Sequence, residues 1–172
     1  MKKIFVAIFL GSDSDLLVMS ETAKVLEEFN ISYKITISSA HRSPELTIKN
    51  IENFQKQGVK VIIAAAGLAA HLAGVIAAHF PLPVIGVPLK GGALNGIDSL
   101  YSTVQMPPGI PVATVGIDNA KNAGLLAIQI LATGDKKLEK KLMEYKKSLS
   151  DSVKKRAEKL EEVGWKEYLK NK

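Results

Sequence analysis

The chain contains no cysteine and no long run of hydrophobic residues. Without thiols it can form neither a disulfide nor a thiolate metal site, and it has no cysteine nucleophile. This composition fits a reducing compartment, and we expect the protein to be cytoplasmic. Glycine, proline, histidine and charged residues interrupt every apolar stretch before it reaches the roughly 20 residues that span a membrane. We therefore expect no membrane partner.

The net charge of +6 is concentrated near the C-terminus. Residues 135–172 carry 13 Lys or Arg and 8 Asp or Glu, whereas the first 134 residues carry 10 and 9. Apolar residues recur every three or four positions in this tail: Leu138, Leu142, Tyr145, Leu149, Val153, Ala157 and Leu160. The pattern predicts a long amphipathic helix with a solvated face, and not a nucleic-acid-binding patch. Its apolar stripe must pack on the domain or on a neighbouring subunit.

The first 134 residues alternate short β-rich runs with helical patterns, with no linker between them. The predicted strands are Ile4 to Leu10, Tyr33 to Ser38, Val59 to Ala65, Val84 to Val87 and Val112 to Ile117. The predicted helices cover residues 16–30, 44–58, 69–79 and 119–132, and an irregular region follows Lys90. Such alternation predicts an α/β fold, a three-layer α/β/α sandwich with a parallel, flavodoxin-like sheet. Ligands of such sheets bind beyond the carboxyl ends of the strands, so the loops after each strand are the place to look.

The loop after the first strand, residues 11–15, reads Gly-Ser-Asp-Ser-Asp. Its hydroxyls and helix-start N–H groups can hold a phosphate, and its carboxylates can accept from ribose hydroxyls. The same residue types are ordinary helix caps, and for this segment alone capping is the simpler interpretation.

The loop after the second strand, residues 39–44, reads Ser-Ala-His-Arg-Ser-Pro. It places His41, which can change charge near neutral pH, beside the permanent cation Arg42. Either residue by itself is more simply a packed or surface side chain. Side by side in a strand-to-helix loop, they suit proton transfer on a phosphorylated substrate.

The loop after the third strand, residues 67–74, is rich in glycine and alanine and adds His71. Its small residues allow close approach to a ligand, although helix-to-sheet packing would explain them equally well.

Other chemistries fit these loops poorly. The first loop has neither G-x-G-x-x-G nor G-x-x-x-x-G-K-[ST], and no G-x-S-x-G elbow presents a nucleophile. No metal-ligand spacing such as H-E-x-x-H occurs. Lys90 could in principle form a Schiff base, but nothing around it in the sequence suggests this. What remains is acid-base chemistry without a cofactor or a metal.

Six ordered segments together resemble the bacterial-type 5-(carboxyamino)imidazole ribonucleotide mutases, class I of the aminoimidazole ribonucleotide carboxylase family. They are residues 11–15, 39–44, 69–72 (Ala-Ala-His-Leu), 83–88 (Pro-Val-Ile-Gly-Val-Pro), 96–100 (Gly-Ile-Asp-Ser-Leu) and 105–114 (Gln-Met-Pro-Pro-Gly-Ile-Pro-Val-Ala-Thr). The resemblance covers about residues 4–134, and the charged C-terminal helix also has counterparts in the family.

The resemblance implies an isomerase of purine biosynthesis that moves a carboxylate from the exocyclic nitrogen of an imidazole ribonucleotide to the adjacent ring carbon. It implies that His41 is the catalytic acid-base group, and that Ser12, Asp15 and Arg42 bind the ribose phosphate while Ser39 and His71 line the pocket. It also implies a cofactor-free reaction and a homo-octamer. Residues 1–134 would be the flavodoxin-like catalytic domain, and residues 135–172 a charged helical extension of it.

Two loops depart from the commoner family pattern. Leu68 stands at a usual glycine, and residues 90–92, Lys-Gly-Gly, replace a polar-small sequence, so family contacts at these loops are not carried over. Direct carboxylation of aminoimidazole ribonucleotide is an alternative, although such relatives usually lack the Ala-Ala-His-Leu segment. A related enzyme acting on another carboxylated nucleotide, such as a pyridinium mononucleotide, is a second alternative. A receiver-like signalling module is weaker, because the third strand ends without a phosphorylatable aspartate.

Overall fold

A computed structural model describes residues 4–170, and its centre is a five-stranded parallel sheet in the order β2-β1-β3-β4-β5. The strands are β1 (Val6–Leu10), β2 (Tyr33–Ile37), β3 (Val61–Gly67), β4 (Val84–Leu89) and β5 (Ala113–Thr114). All of β1 and β4 and the first five residues of β3 are buried, as expected for central strands covered on both faces. This strand order is that of flavodoxin-like folds, so the predicted fold class is confirmed.

The helices are α1 (Leu16–Glu28), α2 (Pro44–Lys56), α3 (Leu72–His79), α4 (Ile97–Val104), α5 (Ala120–Ala132) and α6 (Lys136–Lys170). A 3₁₀ turn, Asp13–Asp15, precedes α1. The predicted start of α2 is confirmed, with Ser43 at the cap and Pro44 in the first turn. Gly58 follows the end of α2 with φ of 82°, a left-handed conformation that glycine adopts without a steric penalty.

The two faces of the sheet are covered by different helices. On one face, Phe9 packs edge-on against Phe54 of α2, with ring centroids 5.6 Å apart, and α3 belongs to the same core. Helix α1 packs against α5, where the Thr22 hydroxyl donates to the Ala120 carbonyl at 2.7 Å. The three-layer arrangement therefore follows from the alternation of side chains along the buried strands.

Several boundaries differ from the prediction, and one helix was missed. The region after Lys90 that was predicted to be irregular contains α4, so that prediction was wrong. Within α4, the buried hydroxyl of Ser99 donates to the Leu89 carbonyl at 2.8 Å and that of Thr103 to the Ser99 carbonyl at 2.7 Å. The Ser99 bond to the end of β4 is a tertiary contact that favours a helix in a segment whose serine and threonine content argues against one, whereas the Thr103 bond lies within the helix. The last strand is only two residues long, and α3 begins at Leu72, not at residue 69.

The described chain forms two compact units, one as far as Leu131 and one from Ala132. The second unit consists mainly of α6, and a long C-terminal helix is thereby confirmed, although Gly164 interrupts it with φ of 74° and ψ of 159°. Leu138 and Leu142 of the predicted stripe are buried, while Leu149 and Val153 are about half exposed. Whether residues 135–172 are an extension of the catalytic domain stays a prediction.

Candidate active site

The carboxyl ends of four neighbouring strands enclose a cavity of about 610 Å³. Its walls come from residues 11, 12, 14 and 15 after β1, residues 39–42 after β2, residues 66–69, 71 and 72 at and after the end of β3, and residues 90–92 after β4. The volume is in the range of small-molecule sites, and the place is the one predicted for a ligand in this fold. Ser12, Asp15, Ser39, His41, Arg42 and His71 all line it.

The loop after β1 is held by its own side chains. Asp15 accepts a hydrogen bond from the Ser12 backbone N–H at 2.9 Å, which is half of a capping box. The Ser14 hydroxyl donates to that of Ser12 at 3.0 Å, and the Gly11 N–H donates to the Ala65 carbonyl at 3.0 Å. Capping and ligand binding are compatible here, because the capped residues themselves line the cavity.

Partial burial raises the pKa of the Asp15 carboxyl above its ordinary value of 3.8, although hydrogen bonds from the Ser12 and Gly11 backbones act in the opposite direction. Desolvation is the largest cause of the shift. Asp15 is therefore a half-buried carboxyl that lines the cavity and not a fully solvated surface charge.

The loop after β2 is a tight turn anchored on Ser39. The Ser39 carbonyl accepts from the Ser43 N–H at 2.9 Å, and the Ser39 hydroxyl accepts from the Arg42 N–H at 3.2 Å. The Arg42 guanidinium donates to the Gly11 carbonyl at 3.4 Å, which directs it from the loop after β2 towards the loop after β1. Most of its five N–H donors remain available to an anion.

The two histidines of the cavity are directly hydrogen bonded. Nε2 of His41 lies 2.9 Å from Nδ1 of His71, and the two rings stand nearly perpendicular with centroids 5.0 Å apart. Sequence reasoning placed both at this edge but did not foresee the bond. It requires that one ring nitrogen donates while the other accepts, so the pair holds one hydrogen between them.

The end of β3 has a strained backbone at the cavity wall. Leu68 adopts φ of 56°, a left-handed conformation that costs a non-glycine residue about 1–3 kcal/mol. Its side chain extends over the loop after β4, because a Cβ added to Gly92 would meet Leu68 Cδ2 at 2.9 Å. Leu68 thus has a backbone conformation that glycine usually adopts, and its apolar side chain lines the cavity.

Lys90 is a cavity residue that sequence reasoning left without a role. It follows β4 immediately, so the rule that selected the other loops would also have selected it. Its side chain lies near Asp118, with Nζ 3.6 Å from Oδ2. Among residues 4–170, Arg42 and Lys90 are the arginine and lysine side chains that line the cavity.

Within residues 4–170, no group of three or more histidine and acidic side chains is arranged to hold a metal ion. A metal-free reaction stays a prediction. In the same part of the chain, no helix is both long enough and apolar enough to cross a bilayer.

Comparison with known proteins identifies the family of this site. The model of the AIR carboxylase family matches residues 5–152, including every loop of the cavity. The chain belongs to the AIR carboxylase family.

It is similar to the N5-carboxyaminoimidazole ribonucleotide mutases of Pyrococcus horikoshii (55% identical, covering 98% of this chain and 95% of that protein) and Thermotoga maritima (53%, covering 97% and 98%). The crystal structure of Treponema denticola PurE superposes with a TM-score of 0.84 at 30% identity and covers 91% of this chain and 98% of that one. Membership in the AIR carboxylase family agrees with the resemblance that the loop sequences carry.

Proposed function

We propose that this chain is the mutase that converts 5-(carboxyamino)imidazole ribonucleotide to 4-carboxy-5-aminoimidazole ribonucleotide in purine biosynthesis. The similarity to named mutases over nearly its whole length supports this isomerase activity. The structural observation that supports it most is the histidine pair inside a cavity that also contains Arg42 and the Ser12–Asp15 loop. Proton-transfer groups and an anion-binding group thus lie in one cavity.

His41 carries the chemistry in this proposal. The bond between the exocyclic nitrogen and its carboxylate carbon breaks, carbon dioxide is released within the cavity, and the nitrogen gains a proton from His41. The ring carbon then forms a bond to carbon dioxide, and its own proton leaves to His41. One proton is given and one is taken back, so a single acid-base residue serves both steps and no cofactor is required.

The other cavity residues bind the substrate. Arg42, with its planar set of N–H donors, takes the phosphate together with the Ser12 hydroxyl. Asp15 accepts from the ribose hydroxyls, while Ser39 and His71 line the pocket. Asp15 follows β1 and Ser39 follows the neighbouring strand β2, which supports a ribose phosphate lying across the ends of these two strands.

The proposal includes a cytoplasmic homo-oligomer, an octamer by family resemblance. The half-exposed apolar residues Leu149 and Val153 on α6 support an oligomer, because such a stripe is normally covered in an assembly.

The experiment that tests the function is conversion of 5-(carboxyamino)imidazole ribonucleotide by the purified protein without ATP or added bicarbonate. We expect 4-carboxy-5-aminoimidazole ribonucleotide to form, also after exhaustive chelation. A parallel reaction receives aminoimidazole ribonucleotide and bicarbonate, and a third a carboxylated pyridinium mononucleotide. Faster turnover of either of these would show that an alternative substrate is the true one, and activity that depends on a restored divalent ion would contradict the cofactor-free mechanism.

A further inference from the structure

The two cations of the cavity stand at opposite ends of it. Arg42 follows β2 and Lys90 follows β4, and the sheet order places β1 and β3 between them. Three strand spacings separate β2 from β4, roughly 14 Å in all. The histidine pair joins the loops after β2 and β3, so it lies between the two cations along the sheet.

Asp118 holds the backbone of Lys90 and lies near its side chain. The Lys90 backbone N–H donates to Asp118 Oδ1 at 2.9 Å, and the Asp118 N–H donates in turn to the Pro88 carbonyl at 2.9 Å. The Lys90 ammonium lies 3.6 Å from Asp118 Oδ2, farther than a charge-assisted hydrogen bond, and its side chain is 66% exposed. The ammonium therefore lies beside Asp118 on a residue that lines the cavity, and its three N–H donors remain available to a second carboxylate.

The substrate of the proposed reaction also carries negative charge at two opposite ends, the phosphate and the carboxylate on the base. A guanidinium suits the phosphate, because it offers several donors in a plane, whereas an ammonium is a compact point charge. We propose that Lys90 binds the migrating carboxylate and so favours carboxylated over uncarboxylated ribonucleotide. This inference rests on the proposed function, in which Lys90 has so far been given no role.

The test compares two ligands that differ only in the carboxylate, 4-carboxy-5-aminoimidazole ribonucleotide and 5-aminoimidazole ribonucleotide. Binding is measured by calorimetry in a His41→Asn background, in which turnover should be strongly slowed. Lys90→Met keeps most of the length of the side chain without its charge, and it should weaken binding of the carboxylated ligand about tenfold. This effect is larger than the loss of an exposed ion pair and smaller than the loss of a buried charged hydrogen bond. It should leave the affinity for the uncarboxylated ligand unchanged.

Three further variants make the result specific. Lys90→Arg should restore the preference for the carboxylated ligand, Arg42→Ala should weaken both ligands, and Lys24→Met, on an exposed lysine outside the cavity, should change neither. Circular dichroism and thermal melting verify the fold of each variant.

If Lys90→Met weakens the binding of both ligands equally, or of neither, the Lys90 proposal is wrong while the proposed function stands. If the parent protein binds neither ribonucleotide, the proposed function itself fails.

Discussion

Nε2 of His41 and Nδ1 of His71 lie 2.9 Å apart across the cavity, joining the loops that follow β2 and β3. Strand β1 lies between these two strands, so the bond spans the loop that contains Ser12 and Asp15. The shared hydrogen orients the His41 ring and leaves its Nδ1 outside the bond. Because Nε2 is held by His71, the His41 ring is well oriented for proton transfer between its Nδ1 and a bound ligand.

The pH dependence of stability should report the environment of Asp15. Because burial raises the pKa of this carboxyl, the folded state binds its proton more tightly than the unfolded state does. The free energy of unfolding should therefore fall as the pH rises from 3.8 through the raised pKa. The destabilisation by the ionised, partly buried carboxyl should be fully present at neutral pH.

Asp15→Asn removes this dependence and keeps an acceptor for the Ser12 N–H. Urea unfolding of both proteins between about pH 3 and 7 gives the difference in stability as a function of pH. Wild type should lose stability relative to the variant as the pH rises. A difference that grows in favour of wild type would mean that hydrogen bonding outweighs burial at this carboxyl.

Gly86→Ala should destabilise the fold at the contact between β4 and α4. A Cβ at residue 86 would lie 2.3 Å from Thr103 Cγ2 and 3.0 Å from Val112 Cγ1, so the helix or the strand must move. We expect a loss of about 1–3 kcal/mol in the free energy of unfolding, measured by urea titration. Gly134→Ala is the control, because a Cβ there meets nothing within 4 Å, and it should change stability by less than about 0.5 kcal/mol. Equal effects of the two substitutions would show that Gly86 does not limit this contact.

The sheet and most helices could be predicted because their signals are local. Continuous apolar runs identify buried strands, and Ser43-Pro44 with Gly58 delimits α2. Helix α4 could not be found in this way, since the Ser99 hydroxyl reaches the Leu89 carbonyl at the end of β4 only in the folded chain. The histidine bond was also out of reach, because it depends on the lateral order of strands whose loops are 30 residues apart.

Negative charges placed on the exposed stripe of α6 should reduce the size of the proposed homo-oligomer. Leu149→Glu combined with Val153→Glu puts two carboxylates on half-exposed apolar positions, which an interface would have to desolvate. Light scattering should give a smaller mass than for wild type. The matched control is Ser150→Glu combined with Ser152→Glu, at exposed polar positions of the same helix, and it should leave the mass unchanged. An unaltered mass in the stripe variant would place the oligomer contacts elsewhere.

The most direct test of the account is single-turnover conversion of 5-(carboxyamino)imidazole ribonucleotide by His41→Asn, with binding followed separately by calorimetry. Asparagine keeps polarity and approximate size but cannot take up or release the proton, so substrate should bind while turnover falls about 10²- to 10⁴-fold or more. His71→Asn, which removes the partner ring and leaves His41, should cost less. Turnover by His41→Asn near the wild-type rate, together with an inactive His71→Asn, would contradict the assignment of His41 as the proton carrier.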